Sequence, residues 1–231
     1  MRDMARKRYG TCGAKIGVPL LRRLGLLAVG ILIFAGLASA GDGGNLRLPA
    51  GSAEFEAYLE KAESVAEFYL KPQYLDAARN FTEQEASVPR QGDSFGNGAV
   101  GTDVRCYEAG QFRSGEFTYK ILIYNNYGES DTVCLNIELA GYDDRGTLLD
   151  ALRLENRFAY EDIERYNLFR IEEGTVDIDY YIVYLYEDGE LSEEARIENP
   201  VPERFGTEHY RIGNGRFTLV SRTDSLNVLG R

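Results

Sequence analysis

From Asp103 to the end of the chain, apolar side chains recur at every second position, and this period constrains the fold more than any other feature. The clearest run is Val176, Ile178, Tyr180, Ile182, Tyr184 and Tyr186, interleaved with Asp177, Asp179, Tyr181, Val183 and Leu185. Successive residues of an extended chain point to opposite faces, so such a run is a strand with one face turned to a core. Phe117, Tyr119, Ile121 and Ile123 repeat the pattern, as do Val133, Leu135, Ile137 and Leu139. Leu148, Leu152 and Leu154 follow, then Ile163, Phe169 and Ile171, and finally Tyr210, Ile212, Phe217 and Leu219. Turn formers lie between the runs: Asn125-Asn126-Tyr127-Gly128, Asp143-Asp144-Arg145-Gly146, Glu173-Gly174, Asp188-Gly189 and Gly213-Asn214-Gly215. Strands joined by short turns of this chemistry specify an antiparallel meander. Parallel crossovers need helical stretches between strands, and the runs leave no room for them. The expected fold is mainly β, with about eight antiparallel strands over residues 102–231 forming a barrel-like sheet or a sandwich.

The residues before this domain read differently. Phe55, Tyr58, Leu59, Ala62, Val65, Ala66 and Tyr69 fall at three- and four-residue steps, with Glu54, Glu56, Glu60, Lys61, Glu63 and Glu67 opposite them. This predicts an amphipathic helix capped by Ser52 and stopped by Pro72, within a helical region spanning 52–81 that ends in a second short helix from Pro72. Residues 41–51 read as a small, polar, flexible lead-in. Residues 82–101, with Pro89 and four glycines, read as a long loop or linker.

The first forty residues form a third class of sequence. Seven basic residues oppose only Asp3, an uncharged apolar run extends from Leu24 to Ala38, and Ala38-Ser39-Ala40 precedes Gly41. A basic region, a short apolar region and a small-residue site in that order predict a cleavable export signal over 1–40. The apolar run is shorter than the roughly 20 residues of a spanning helix. The alternative is an uncleaved signal acting as an anchor. Export places the product in a periplasm or outside the cell, with no lasting membrane span after cleavage. Of the 26 basic and 37 acidic residues, seven and one lie in this segment, so the remainder carries a net charge of −17. Such a surface repels polyanions, and nucleic acid is not an expected partner. Cys12 leaves with the signal. Cys106 and Cys134 remain as an even pair in an oxidising compartment, which predicts a disulfide between them.

Motifs for chemistry are few. The single histidine, His209, needs an orienting acid and a nucleophile to act as a base, and no Gly-x-Ser-x-Gly elbow surrounds any serine. The glycines from Gly92 to Gly101 lack the strand-to-helix setting of a phosphate cradle. Asp177 and Asp179 share the polar face of one strand and are the nearest approach to a carboxylate pair. The acidic turns at Asp143 and at Glu187-Asp188-Gly189-Glu190 do not follow the spacing of a calcium loop. No cofactor and no metal site is expected. Tyrosine is the least ordinary feature: Tyr119 and Tyr124 on one strand, and Tyr180, Tyr181, Tyr184 and Tyr186 on another, form a candidate recognition surface, because tyrosine supplies large contact area at low entropic cost. The expected function is a non-catalytic exported module that binds another envelope or secreted protein, as an inhibitor, immunity-type or accessory factor. The alternative is a carrier or hydrolase holding a small molecule or glycan in a barrel cavity.

Overall fold

The computed structural model describes residues 44–62, 67–95, 99–187, 191–192 and 194–224. The export reading, which rests on residues 1–40, lies outside them, as do the turn at Asp188-Gly189 and residues 63–66. Among the described residues the chain begins with β1 (Ala50–Gly51), β2 (Leu59–Lys61), β3 (Phe68–Leu70), α1 (Pro72–Ala77), β4 (Arg79–Asn80), α2 (Glu83–Ser87) and β5 (Arg90–Gln91). Eight long strands follow, the first outside the alternating runs and the other seven on them: β6 (Arg105–Ser114), β7 (Phe117–Tyr127), β8 (Val133–Tyr142), β9 (Leu148–Tyr160), β10 (Ile163–Glu172), β11 (Thr175–Tyr184), β12 (Glu203–Gly213) and β13 (Arg216–Asp224). Each of the eight is hydrogen-bonded to its neighbour in sequence, and all of these pairs are antiparallel. The fold is therefore mainly β, with a meander as its frame.

The meander folds over between β9 and β10. These two strands pair only through Phe158–Tyr160 and Ile163–Arg165, whereas β10 and β11 pair along their whole length. Beyond that corner, one face of β6–β9 meets one face of β10–β13. Ile121, Ile123, Leu135, Ile137 and Leu139 pack with Ile178, Tyr180, Tyr210, Ile212 and Phe217 in the principal core. These residues belong to strands that are not neighbours in the sheet, so they can meet only face to face. Burial of each such side chain contributes about 1.5–3 kcal/mol, and side chains fill the space between the layers.

The layers touch most closely at one turn. Asn214 and Gly215, at φ +53° and +70°, form the two-residue turn from β12 to β13 that matches the twist of a hairpin. Its backbone lies on Gly141 of β8, where an added Cβ would sit 2.2 Å from the Gly215 carbonyl oxygen. Gly215 N–H donates to the Tyr119 hydroxyl at 2.9 Å, and Phe217 N–H donates to Asp150 Oδ2 at 2.9 Å.

The second face of β6–β9 is also covered. Phe81 and Val100, from the described residues of 79–95 and 99–104, close over Cys106, Leu122, Tyr124, Ala140, Tyr142, Leu148 and Ala151 in a separate apolar cluster. Within this strap, residues read as loop form helix α2. Thr82 Oγ1 accepts from Glu85 N–H, and the Glu85 carboxylate accepts from Thr82 N–H, a reciprocal cap. Strand β5 runs parallel to β9, and Gln91 reaches across to the β13 carbonyl of Phe217 at 2.9 Å.

Two expectations are corrected. The continuous helix from Ser52 is not formed by the described residues of that stretch. Ser52–Glu54 and Glu56–Tyr58 are single 3-10 turns, and Leu59–Lys61 pairs with Phe68–Leu70 as a hairpin. The apolar stripe is still used: Phe55, Leu59 and Leu70 are buried in the principal core. Burial of those side chains, together with backbone pairing between β2 and β3, outweighs helix propensity over so short a stretch. The shorter helix from Pro72 is present as α1. The predicted disulfide is absent: Cys106 and Cys134 are free and buried. Cys106 pairs with Tyr124, Tyr124 pairs with Asn136, and Cys134 lies two residues along β8 from Asn136. Two strand spacings and two residue rises separate their Cα atoms by about 12 Å, beyond the roughly 7 Å a disulfide spans.

Candidate functional site

The two layers differ in what covers them. The strap hides the second face of β6–β9, while the second face of β10–β13 is approached by other described residues only at one end, where Val183 is buried, Lys61 pairs with Glu164 and Arg157 lies over the Tyr166 ring. Register assigns its side chains to rows that cross the strands. One row is Arg170, Asp177, His209 and Ser221; the next is Leu168, Asp179, Thr207 and Thr223; a third is Tyr166, Tyr181 and Arg204. Leu168 is 41% exposed, and His209, Arg170, Arg211, Thr218, Ser221 and Thr223 are all exposed.

The face is held by polar contacts within the rows. Asp179 Oδ1 accepts from Thr207 Oγ1 at 2.6 Å and from Arg204 Nη1 at 3.3 Å. Asp177 Oδ1 contacts His209 Nδ1. Tyr166 and Tyr181 stack with ring centroids 5.3 Å apart and planes 9° apart. Burial raises the Tyr166 hydroxyl above the ordinary phenol range, and the neighbouring Tyr181 adds to it. Asp177 and Asp179 therefore serve as hydrogen-bond acceptors for β12 rather than as an isolated carboxylate pair.

Asp177, His209 and Ser221 stand in the order of an acid, a base and a nucleophile. The Ser221 hydroxyl is not hydrogen-bonded to His209, however, and the row lies on an open sheet face rather than in a cleft. Transfer of a proton from serine needs that bond, so the row functions as part of a polar surface.

Directly beneath this face the support is a buried carboxylate. Glu208 is 1% exposed and accepts from Tyr180 Oη at 2.5 Å, Tyr210 Oη at 2.8 Å and Arg222 Nη2 at 2.5 Å. Burial, and then the hydrogen bond to Glu208, push both phenols well above their ordinary range. Their protons stay on the tyrosines and hold β11 and β12 together.

No protein-family model, curated protein or solved structure matches this chain.

The six tyrosines of the sequence reading do not form one surface. Tyr119 lies in the principal core, Tyr124 lies under the strap donating to Glu138 Oε2 at 2.9 Å, and Tyr180 bonds Glu208. Tyr181 lies on the open face. Tyr184 and Tyr186 are half-buried near the end of β11, where Tyr186 bridges to Arg196. Tyr166, Arg204 and Glu208 escaped sequence reasoning, because only cross-strand register brings Tyr166 and Arg204 beside Tyr181 and Glu208 beside Tyr180. Asp143, in the turn weighed for calcium, accepts from Arg145 N–H at 3.0 Å and Thr147 N–H at 2.7 Å, an ordinary side-chain turn. Among the described residues no group of three or more His, Cys, Asp or Glu is placed to hold a metal ion. No helix among them is long and apolar enough to cross a membrane.

A cleft of about 580 Å³ opens at one end of the two layers. Leu46, Leu48, Phe112 and Ile212 supply its apolar lining, and Arg113 and Glu173 bring charge to it.

Proposed function

We propose that this chain is a non-catalytic exported module that binds another protein through the open face of β10–β13. The observation that carries the reading is the asymmetry between the layers: one outer face is covered by a strap, and the other is open over most of its area, with Leu168, rows of polar side chains and a half-buried stacked tyrosine pair at its edge. Stacked tyrosines on a rigid sheet bury area on binding at low entropic cost. Export rests on the basic, apolar and small-residue segments of residues 1–40. The test is capture with a tagged copy expressed in its exporting host, alongside Tyr166→Ala and Tyr181→Ala copies. The expected result is a stoichiometric companion on the wild-type protein that is lost from both variants while their melting temperatures stay within a few degrees. A companion retained by both variants moves the interface elsewhere.

The cleft supports a second reading, a carrier of a small amphipathic ligand, since its volume falls in the range of ligand pockets. Native mass spectrometry of the exported protein and of an Ile212→Trp variant tests it. The expected result is a bound mass on the former and none on the latter.

A further inference from the structure

We infer that the partner seated on the open face is a second copy of this chain, related by a two-fold axis that lies in the face and runs parallel to the strands between β11 and β12. The inference rests on the reading of that face as a protein-binding surface and names its occupant.

The columns of the face set the orientation of the second copy. Strand β11 presents Asp177, Asp179 and Tyr181, and its neighbour β12 presents Arg204, Thr207, His209 and Arg211. An axis parallel to the strands exchanges the two columns and keeps each row at its own height. The acids of β11 then lie over the donors of the partner's β12: Asp177 over the partner's His209, and Asp179 over the partner's Thr207. Tyr181 meets the partner's Arg204, guanidinium over ring. An axis perpendicular to the strands would lay acid on acid and arginine on arginine. A closed two-fold interface must complement itself, and this face does so in one orientation.

Charge elsewhere favours the same site. Without residues 1–40 the chain carries a net charge of −17, so two copies repel over most of their surfaces. On the open face Arg170, Arg204 and Arg211 offset Glu172, Asp177 and Asp179, and Lys61 offsets Glu164 at its edge, so a second copy meets little net repulsion there. Four strands at the usual spacing, each about eight residues long, offer roughly 500 Å² per copy. The total of about 1,000 Å² is at the lower limit for a specific interface. The dimer is accordingly reversible, with dissociation in the micromolar range and a dependence on salt.

Sedimentation velocity on the purified protein over a concentration series tests this. The expected result is a monomer–dimer equilibrium that weakens at high salt. Asp177→Arg with Asp179→Arg makes both columns basic; Arg204→Asp with Arg211→Asp makes both acidic. Each variant should be monomeric alone, and the two mixed should recover the dimer. A chain carrying all four substitutions has its columns exchanged and should dimerise by itself, which guards against loss of folding in either pair. A wild-type protein that stays monomeric to about 100 µM, or a dimer unaffected by both double variants, overturns the inference. In the first case, a companion that depends on Tyr166 and Tyr181 leaves the binding-face reading standing with a different partner. Absence of both dimer and companion removes the two together.

Discussion

Cys106 illustrates how a residue's surroundings decide its chemistry. Burial pushes its thiol up to about 12, although Arg79 nearby opposes the shift. Burial raises Cys134 as well, against a hydrogen bond from Asn156. The thiolate is the reactive species, so both cysteines should be inert in the native state. Mass spectrometry after thiol alkylation should show neither Cys106 nor Cys134 modified in native buffer, and both modified in denaturant without reductant. A disulfide would leave them unlabelled in both conditions. Glu208 makes a different case, a buried carboxylate met by three donors. Glu208→Gln keeps the volume but cannot accept from Tyr180, Tyr210 and Arg222 together. The loss of charge-assisted bonds in a buried setting should cost about 2–4 kcal/mol in chemical denaturation. A loss below about 0.5 kcal/mol would mean the network does not tie β11 to β12.

At the scale of elements, the turn from β12 to β13 and the strand β8 share a surface with no room between them. Gly141→Ala places a methyl against the Gly215 backbone, which cannot swing aside as a long side chain can. The layers must separate there, and the expected cost is about 2–3 kcal/mol in denaturant unfolding. Gly146→Ala, in an open turn with nothing near its Cβ, is the control; its φ of +78° carries only the backbone penalty of about 1 kcal/mol. Most of the long strands were legible in the sequence because apolar residues repeat every two positions along them and turn formers separate the runs, whereas β6 carries no such run. Helix α2 was legible as well, in Thr82-x-x-Glu85, but the surrounding glycines and prolines masked that short signal. The hairpin β2–β3 was not legible. Phe55, Tyr58, Leu59 and Tyr69 fit a helical stripe equally well, and the choice is made by the core that receives Phe55 and Leu59. The open face could be read only halfway: alternation put Asp177, Asp179 and Tyr181 on one side of β11, whereas Tyr166, Arg204 and His209 join them through register, which no local pattern contains.

For the whole molecule, two buried glutamates pull stability in opposite directions with pH. Glu155 is fully buried beside Arg157, which donates to it from Nε at 2.6 Å and to Glu56 from Nη2 at 2.8 Å. Burial raises Glu155 more than Arg157 lowers it, to about 7. Burial also acts to raise Glu85, but hydrogen bonds from Arg79, from the Thr82 backbone and from Tyr142 outweigh it and bring Glu85 down to about 2. A carboxyl raised on folding binds its proton more tightly in the native state. Its contribution therefore improves as pH falls from about 7.5 to 5, on the order of 2–3 kcal/mol. A carboxyl lowered on folding stabilises above its unfolded value and loses that contribution as pH falls from about 4.5 toward 2. The protein should accordingly be most stable near pH 5, more acidic than the usual optimum, and relief of its negative charge acts in the same direction. Denaturant unfolding at pH 7.5, 5 and 3 separates the causes. Glu155→Gln should be more stable than the wild type at pH 7.5 and close to it at pH 5, while Glu85→Gln should be less stable at both, with the gap narrowed by roughly half at pH 3. If Glu155→Gln instead weakens the protein at pH 7.5, the ionised pair with Arg157 holds the layers together there, and the acid-side optimum belongs to surface charge alone.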